Sequence, residues 1–346
     1  LPGRGALGAM TARAIIFGCS GPELLPKEAD FFRDAGPWGF ILFARNIKSP
    51  QQVTELVDDL RDCVGRPGAP VLIDQEGGRV TRLTPPHWRM APPAEKFGQL
   101  YSQRPAQALA ACKLNGRLLA HELAALGITV DCVPVLDVPA PDGHLIIGDR
   151  AFASDPAIVA ELGRAQCEGL MAGGVLPVIK HIPGHGRAAA DSHLDLPQVS
   201  ASLDELRRTD FAPFRALRDM PLAMTAHVAY TSIDGATPAS HSAKIIRDII
   251  RGEIGFEGVL MCDDLGMKAL KGDFTERAAR AIAAGCDMLL HCSGEITEMR
   301  EVLRETPMLS GQAMVRCAAA LAHLRIPDKF DAVAAKAQFD GFLSET

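Results

Sequence analysis

The chain has no Cys-x-x-Cys pair, no block of like charges, no long uninterrupted apolar run and few aromatic side chains. Each absence removes a class of function. Without Cys-x-x-Cys there is neither a zinc knuckle nor a thioredoxin-type redox motif. Without a lysine- or arginine-rich stretch, and with a formal net charge of −6, the chain lacks the electrostatic footprint of a nucleic-acid or anionic-membrane binder. No apolar segment approaches the roughly 18 residues that a membrane-spanning helix needs. The nine cysteines are an odd count. Most fall inside periodic segments, Cys63, Cys112 and Cys167 on helix-like stretches and Cys132 and Cys262 on strand-like ones, as buried, reduced thiols do. A cytoplasmic location fits that pattern.

The 346 residues, 47% of them hydrophobic, suffice for one large α/β domain. Leu1 to Met10 read as a leader ahead of the first strand, leaving residues 11–346 as the folded unit. Eight short apolar runs follow: Ala14–Gly18, Phe40–Phe43, Val71–Asp74, Thr129–Val138, Val175–Lys180, Leu222–His227, Val259–Cys262 and Met288–Cys292. Between them lie helix patterns at Pro26–Ala35, Pro50–Val64, Pro105–Leu126, Asp155–Ala172, Ser202–Arg218, Ser242–Ile254 and Thr275–Ala284, with Ser49 and Ser202 placed as N-caps. Continuously apolar strands alternating with helices predict a parallel sheet covered on both faces. An open doubly wound sheet and a closed (β/α)8 TIM-type barrel both satisfy that. Polar residues decide for the barrel, because they recur at the ends of several different runs: Asp74, Lys180 and His181, His227, and Asp263-Asp264. From about residue 293 only helical patterns remain, an expected appendage on the outside of the barrel.

The densest chemistry lies between Lys180 and Pro197, where Lys180, His181, His185, Asp191, His193 and Asp195 stand among glycines and prolines behind an apolar run. Buried imidazoles and charges need partners, so packing alone does not account for this loop. Asp191-Ser192-His193 offers an aspartate that can orient an imidazole as general acid and base. The three histidines with Asp191 could instead bind a metal ion, which would make a metal-dependent hydrolase. Of the Asp263-Asp264 pair, one carboxylate can enter the barrel mouth as a nucleophile or electrostatic stabiliser while the other caps the following segment. Asp74 is the site candidate in Asp74-Gln75-Glu76-Gly77-Gly78-Arg79. Glu76 and Arg79 read as an internal ion pair. Arg150 has Asp149 and Asp155 as possible partners besides a ligand. Trp38 and Trp88 are the only tryptophans, too few for a broad aromatic platform, so the expected pocket is small and polar.

Taken together, Lys-His-x-Pro-Gly-His-Gly, Asp-Ser-His, Asp-Gln-Glu-Gly-Gly-Arg, Gly-Asp-Arg-x-Phe and Asp-Asp-Leu-x-Met resemble family 3 glycoside hydrolases. Within that family the chain is similar to the single-domain bacterial β-N-acetylhexosaminidases of cell-wall recycling, from about Ala12 to Cys292. The resemblance implies a (β/α)8 barrel that removes a terminal N-acetylglucosamine with retention of configuration. It also implies Asp263 as nucleophile, His193 with Asp191 as acid/base, and Asp74, Arg82, Arg150, Lys180 and His181 as sugar-binding residues. A monomer is expected, with no cofactor or metal, acting on N-acetylglucosamine-containing muropeptides. Phosphate in place of water as acceptor, giving a phosphorylase, is the variant that sequence leaves open. Two departures are visible: Cys262 and Gly266 stand where serines are more frequent around Asp263, and the loop differs. Arg187-Ala188-Ala189-Ala190 stands where relatives usually carry an aspartate and a threonine after the last glycine of the histidine motif.

Overall fold

The computed structural model describes residues 12–140, 147–188, 195–327 and 329–344. Eight parallel strands run in chain order around the fold: β1 (Arg13–Gly18), β2 (Pro37–Leu42), β3 (Val71–Ile73), β4 (Val130–Asp131), β5 (Leu176–Ile182), β6 (Leu222–Thr225), β7 (Val259–Cys262) and β8 (Leu289–His291). Each pairs with its sequence neighbour, and β8 pairs with β1. The remaining seam, between β7 and β8, is drawn together by a parallel bridge from Met261 to Met288 and by the Cys262 N–H donating to the Met288 carbonyl at 3.0 Å. The sheet is thereby a (β/α)8 barrel. Its strands are almost wholly buried, Ile15, Ile16, Phe17, Leu72, Val178, Ala223 and Leu260 among them. That is why these runs carry no polar alternation. Trp38 is also core.

The helices sit where the 3.6-residue patterns place them, with Pro26–Ala35, Pro50–Cys63, Pro105–Ala124, Pro156–Ala172 and Phe274–Ala284 on the outside. Ser49 and Ser202 accept the backbone N–H groups of Gln52 and Glu205 as N-caps. Three expectations need correction. The run Thr129–Val138 is not one strand, because Pro134 has no N–H to give a ladder. The regular ladder is only Val130–Asp131, and the chain then continues along β5 through the Val133 and Pro134 carbonyls, which accept from Val178 and Lys180. Ser202–Arg218 is two short helices, Leu203–Arg208 and Phe211–Ala216. Pro213 cannot donate to the Thr209 carbonyl, and Asp210 turns inward at the break. Ser242–Ile254 forms a π-helix over Ile245–Ile254. A helix at Ala94–Gln103 and a small parallel ladder between Gln198–Val199 and Ala229–Tyr230 had no clear sequence pattern.

Helices Ile296–Arg304, Gly311–Leu321 and Ala332–Ser344 complete the chain. Between the first two, the Ala14 N–H donates to the Pro307 carbonyl and the Leu309 N–H to that of Ala12, so this turn covers the start of β1. The last lies against Pro105–Ala124, where Gln107 donates to the Phe342 carbonyl at 3.1 Å, and against Ala94–Gln103, with the Phe339 and Phe97 ring centroids 6.2 Å apart. Among the described residues no helix is long and apolar enough to cross a membrane.

Candidate active site

At the C-terminal mouth of the barrel the strand ends enclose a cavity of about 220 Å³, into which Asp74, Arg82, Arg150, Lys180, His181 and Asp263 all face. Parallel strands bring one end of every strand to the same face, so residues more than a hundred positions apart meet there.

The loop after β3 supplies the acidic floor. Gln75 fixes it from inside: its N–H donates to Asp131 at 2.9 Å, its Oε1 accepts from the Arg82 and Leu83 N–H groups, and its Nε2 donates to the Leu83 carbonyl. Gly77 and Gly78 turn the loop at φ of 98° and 56°, and a Cβ on either would strike the Pro92-Pro93 segment. Asp74 and Glu76 emerge on the cavity side. Lys180, only 3% exposed at the side chain, lies between them at 2.8 Å from each carboxylate. Arg150 grips Glu76 with two parallel bonds of 2.8 Å, and Arg82 approaches Asp74 at 3.3 Å. Burial alone would raise the Glu76 carboxyl. Lys180 and Arg150 outweigh it and hold the group at about 2. Asp74 is likewise pushed up by burial and brought below the ordinary carboxylate range by Lys180 and Arg82. The same carboxylates, against burial, raise the Lys180 ammonium above its ordinary value.

His181 is oriented from behind. The Asp137 carboxylate accepts the His181 ring Nδ1–H at 2.7 Å and the backbone N–H groups of His181 and His185 at 3.1 and 2.7 Å. Burial opposes ionisation of Asp137, and the two histidines overcome it, leaving its carboxyl at about 2. With Nδ1 committed, the other ring nitrogen of His181 is left for whatever fills the cavity. His185 packs edge-on against His181, ring centroids 5.6 Å apart. Burial and the neighbouring His181 lower its imidazole to about 4. The chain after it is anchored by Arg187, which meets Asp210 at 2.7 Å and Glu205 at 2.8 Å, and the residue before it by the Tyr230 hydroxyl, which donates to the Gly184 carbonyl. Asp191 and His193 lie outside the described residues.

Asp263 and Asp264 follow β7 and divide their tasks. The Asp264 carboxylate accepts the N–H groups of Gly266 and Cys292, both at 3.0 Å. Asp263 turns into the cavity and accepts the Asp264 N–H at 2.8 Å. Burial pushes its carboxyl up, and the imidazoles of His227 and His181, the Asp264 N–H and Lys180 together hold it below the ordinary range. It is an ionised carboxylate at neutral pH. Ile41, Phe43, Met224, Met267 and Leu290 form the apolar part of the wall. Among the described residues no group of three or more histidine, cysteine or acidic side chains is placed to hold a metal ion.

Two sequence expectations change here. Glu76 and Arg79 are not an ion pair. Arg79 binds Asp149 at 2.9 Å at the cavity rim, whereas Glu76 belongs to the Lys180 and Arg150 cluster. Arg150 pairs with neither Asp149 nor Asp155; the latter caps helix Pro156–Ala172. Glu76 and Asp137 were missed as site residues. The signal for Glu76 was available, since two positions past a strand end puts it on the same side as Asp74. Asp137 was hidden inside an apparently continuous strand.

Residues 29–324 match the sequence profile of the glycosyl hydrolase family 3 N-terminal domain. A β-hexosaminidase of Stenotrophomonas maltophilia is 38% identical over 288 residues, 82% of this chain and 84% of the relative. The crystal structure of NagZ from Neisseria gonorrhoeae superposes with a TM-score of 0.83 at 32% identity, covering 97% of both chains. The same enzyme in complex with N-trifluoroacetyl-D-glucosamine gives the same TM-score of 0.83 and identity of 32%, again over 97% of each chain.

Proposed function

The chain belongs to glycosyl hydrolase family 3, and on that premise we propose that it is a retaining exo-β-N-acetylglucosaminidase acting on muropeptides that carry a terminal N-acetylglucosamine. The observation that carries this reading is the meeting, in one cavity, of an ionised aspartate with a lattice of buried ion pairs. Asp263 attacks the anomeric carbon. Asp74, Arg82, Arg150, Lys180 and His181 hold the sugar hydroxyls through charge-assisted hydrogen bonds. His193, oriented by Asp191, protonates the departing oxygen and then activates the water that cleaves the glycosyl ester on Asp263. Two inversions at the anomeric carbon give net retention. A cavity of about 220 Å³ suits one sugar ring, which fits removal of terminal units. The β-hexosaminidase relatives and the N-acyl glucosamine bound by the gonococcal enzyme support the sugar's identity. Acting on such fragments, the enzyme would serve peptidoglycan recycling.

The decisive experiment is Asp263→Asn assayed on 4-nitrophenyl N-acetyl-β-glucosaminide, with mass spectrometry of wild-type protein after a fluorinated glycoside. Release of 4-nitrophenol is expected to fall by several orders of magnitude, and a stoichiometric adduct to map to Asp263. Turnover by the variant at wild-type rates would refute the assignment. Product analysis on an anhydromuropeptide, with and without phosphate, distinguishes free sugar from sugar phosphate.

A further inference from the structure

The polar group behind the Asp263-Asp264 turn that the mechanism leaves unused is His227. It stands just beyond β6, is fully buried, and has both ring nitrogens engaged. Nε2 lies 3.0 Å from the Asp264 carbonyl oxygen, and Nδ1 lies 2.7 Å from the Ser240 hydroxyl. A carbonyl can only accept, so Nε2 carries the proton. Burial lowers the imidazole's affinity for a second one, so Nδ1 accepts the Ser240 hydroxyl proton. Ser240 is itself buried in the turn Ala239–His241.

We propose that His227, with its Nε2–H tautomer selected by the Asp264 carbonyl and its ring braced by Ser240, is a positioning residue that fixes the backbone of Asp264 and through it the aim of the Asp263 carboxylate. This rests on Asp263 being the nucleophile. Asp264 is held at its carbonyl, at its carboxylate Oδ1 and at its N–H. Its carbonyl accepts the His227 Nε2–H and, within the turn, the Met267 N–H, its Oδ1 accepts two backbone N–H groups, and its own N–H is the donor to Asp263 Oδ1 at 2.8 Å. A rotation of that residue therefore swings the hydrogen bond that orients the carboxylate of Asp263. His227 is the only side chain among the described residues that grips the Asp264 carbonyl, and it reaches it from the neighbouring strand. The turn is consequently tied to the barrel wall and not only to its own loop. Displacement of a reacting group by about 1 Å costs on the order of 10²-fold in rate, which is what loss of this tie would produce.

The two amide isosteres of histidine separate positioning from packing. Glutamine places its NH₂ near the Nε2 position and can still donate to the Asp264 carbonyl, whereas asparagine places its NH₂ near Nδ1 and cannot. On the aryl glycoside, His227→Gln is expected to retain kcat within about 10-fold and His227→Asn to lose about 100-fold. The inhibition constant of free N-acetylglucosamine should stay within about 2-fold in both, because the sugar-holding cluster is elsewhere. Ser240→Ala removes the hydroxyl that braces Nδ1 while the Asp264 carbonyl still selects the Nε2–H tautomer, so its loss in kcat is expected to be smaller than that of His227→Asn. Equal losses in the glutamine and asparagine variants, wild-type rates in both, or a Ser240→Ala loss larger than that of His227→Asn would overturn the proposal. Nitrogen-15 NMR of histidine-labelled wild-type protein tests it without turnover. The Nε2–H tautomer for His227 is expected, and the Nδ1–H tautomer would contradict the proposal even if Asp263 proves to be the nucleophile. Failure of the Asp263→Asn experiment with the Nε2–H tautomer present would count against the nucleophile alone.

Discussion

Lys180→Met removes the one cation among the described residues that touches both floor carboxylates, while keeping nearly the same length of apolar stem. In the wild type the ammonium lies 2.8 Å from Asp74 and 2.8 Å from Glu76, 3% exposed. Breaking a buried ion pair by deleting one partner costs about 3–5 kcal/mol, because the remaining charge stays buried without compensation. Here the lower end applies, since Glu76 keeps its two bonds to Arg150 and Asp74 keeps Arg82 at 3.3 Å. With an unfolding entropy of about 2.1 cal/mol/K per residue, a loss of about 3 kcal/mol in a chain of 346 residues lowers the thermal midpoint by about 4 °C. The pH dependence gives the sharper test. Asp74 and Glu76 have depressed pKa values in the folded wild type. Their contribution is therefore present above the ordinary carboxylate range and lost only as pH falls through the folded values, about 2 for Glu76. Without Lys180, burial dominates at Asp74, its carboxyl takes up a proton more readily, and the penalty is relieved in mild acid. Differential scanning calorimetry should show the gap between variant and wild type narrowing from near pH 7 to about pH 4.5. Asp74→Asn added to Lys180→Met should recover part of the loss near neutrality, because a neutral amide needs no counter-charge. A gap that widens in acid, or a midpoint unchanged near neutrality, would refute this reading of the floor.

Two further outcomes concern the scaffold. Arg187→Ala strips the cation from Asp210, whose side chain is 1% exposed and keeps only the Thr209 hydroxyl among the described residues, and should cost about 2 kcal/mol; thermal melts should show recovery on adding Asp210→Asn, and no destabilisation would mean the anchor holds nothing. Gly98→Ala drives a methyl group into the Phe152 carbonyl and is expected to cost about 1–3 kcal/mol. In urea titrations of both variants, Gly68→Ala, which meets nothing within 4 Å, should change stability by less than about 0.5 kcal/mol.

The barrel was legible because each strand is a short apolar run ending in a polar residue, and burial on both faces forces that composition. Reading failed where backbone chemistry outweighs side-chain pattern. Pro134 interrupts a run that hydropathy makes continuous, and Pro213 with Asp210 splits a helix whose apolar spacing continues across the break. In the site, Asp74, Lys180, His181 and Asp263 were legible because a strand end fixes their position before any contact is known. Their partnerships were not. Lys180 meets Asp74 across 106 residues and His181 meets Asp137 across 44, and nothing local marks those matches. Arg150 shows the same limit from the other side, since the carboxylates nearest in sequence, Asp149 and Asp155, are not the one it binds.

That partnership map bears on which carboxylate does chemistry. Asp74 and Glu76 are committed to Lys180, Arg82 and Arg150, and Asp137 is committed to His181. Asp264 spends its carboxylate on two backbone N–H groups. A carboxylate fully bonded to cations is a weak nucleophile, because attack must first strip those bonds away. Among the described residues Asp263 is the cavity carboxylate without an ion-pair partner, holding one hydrogen bond from the Asp264 N–H. Its ionisation is favoured by the groups around it, the His227 and His181 imidazoles foremost, and not by a cation bonded to it. The site therefore keeps Asp263 charged without occupying it. That is the condition the proposed nucleophile requires, and the second aspartate, the buried lysine and the imidazole behind the turn all favour it.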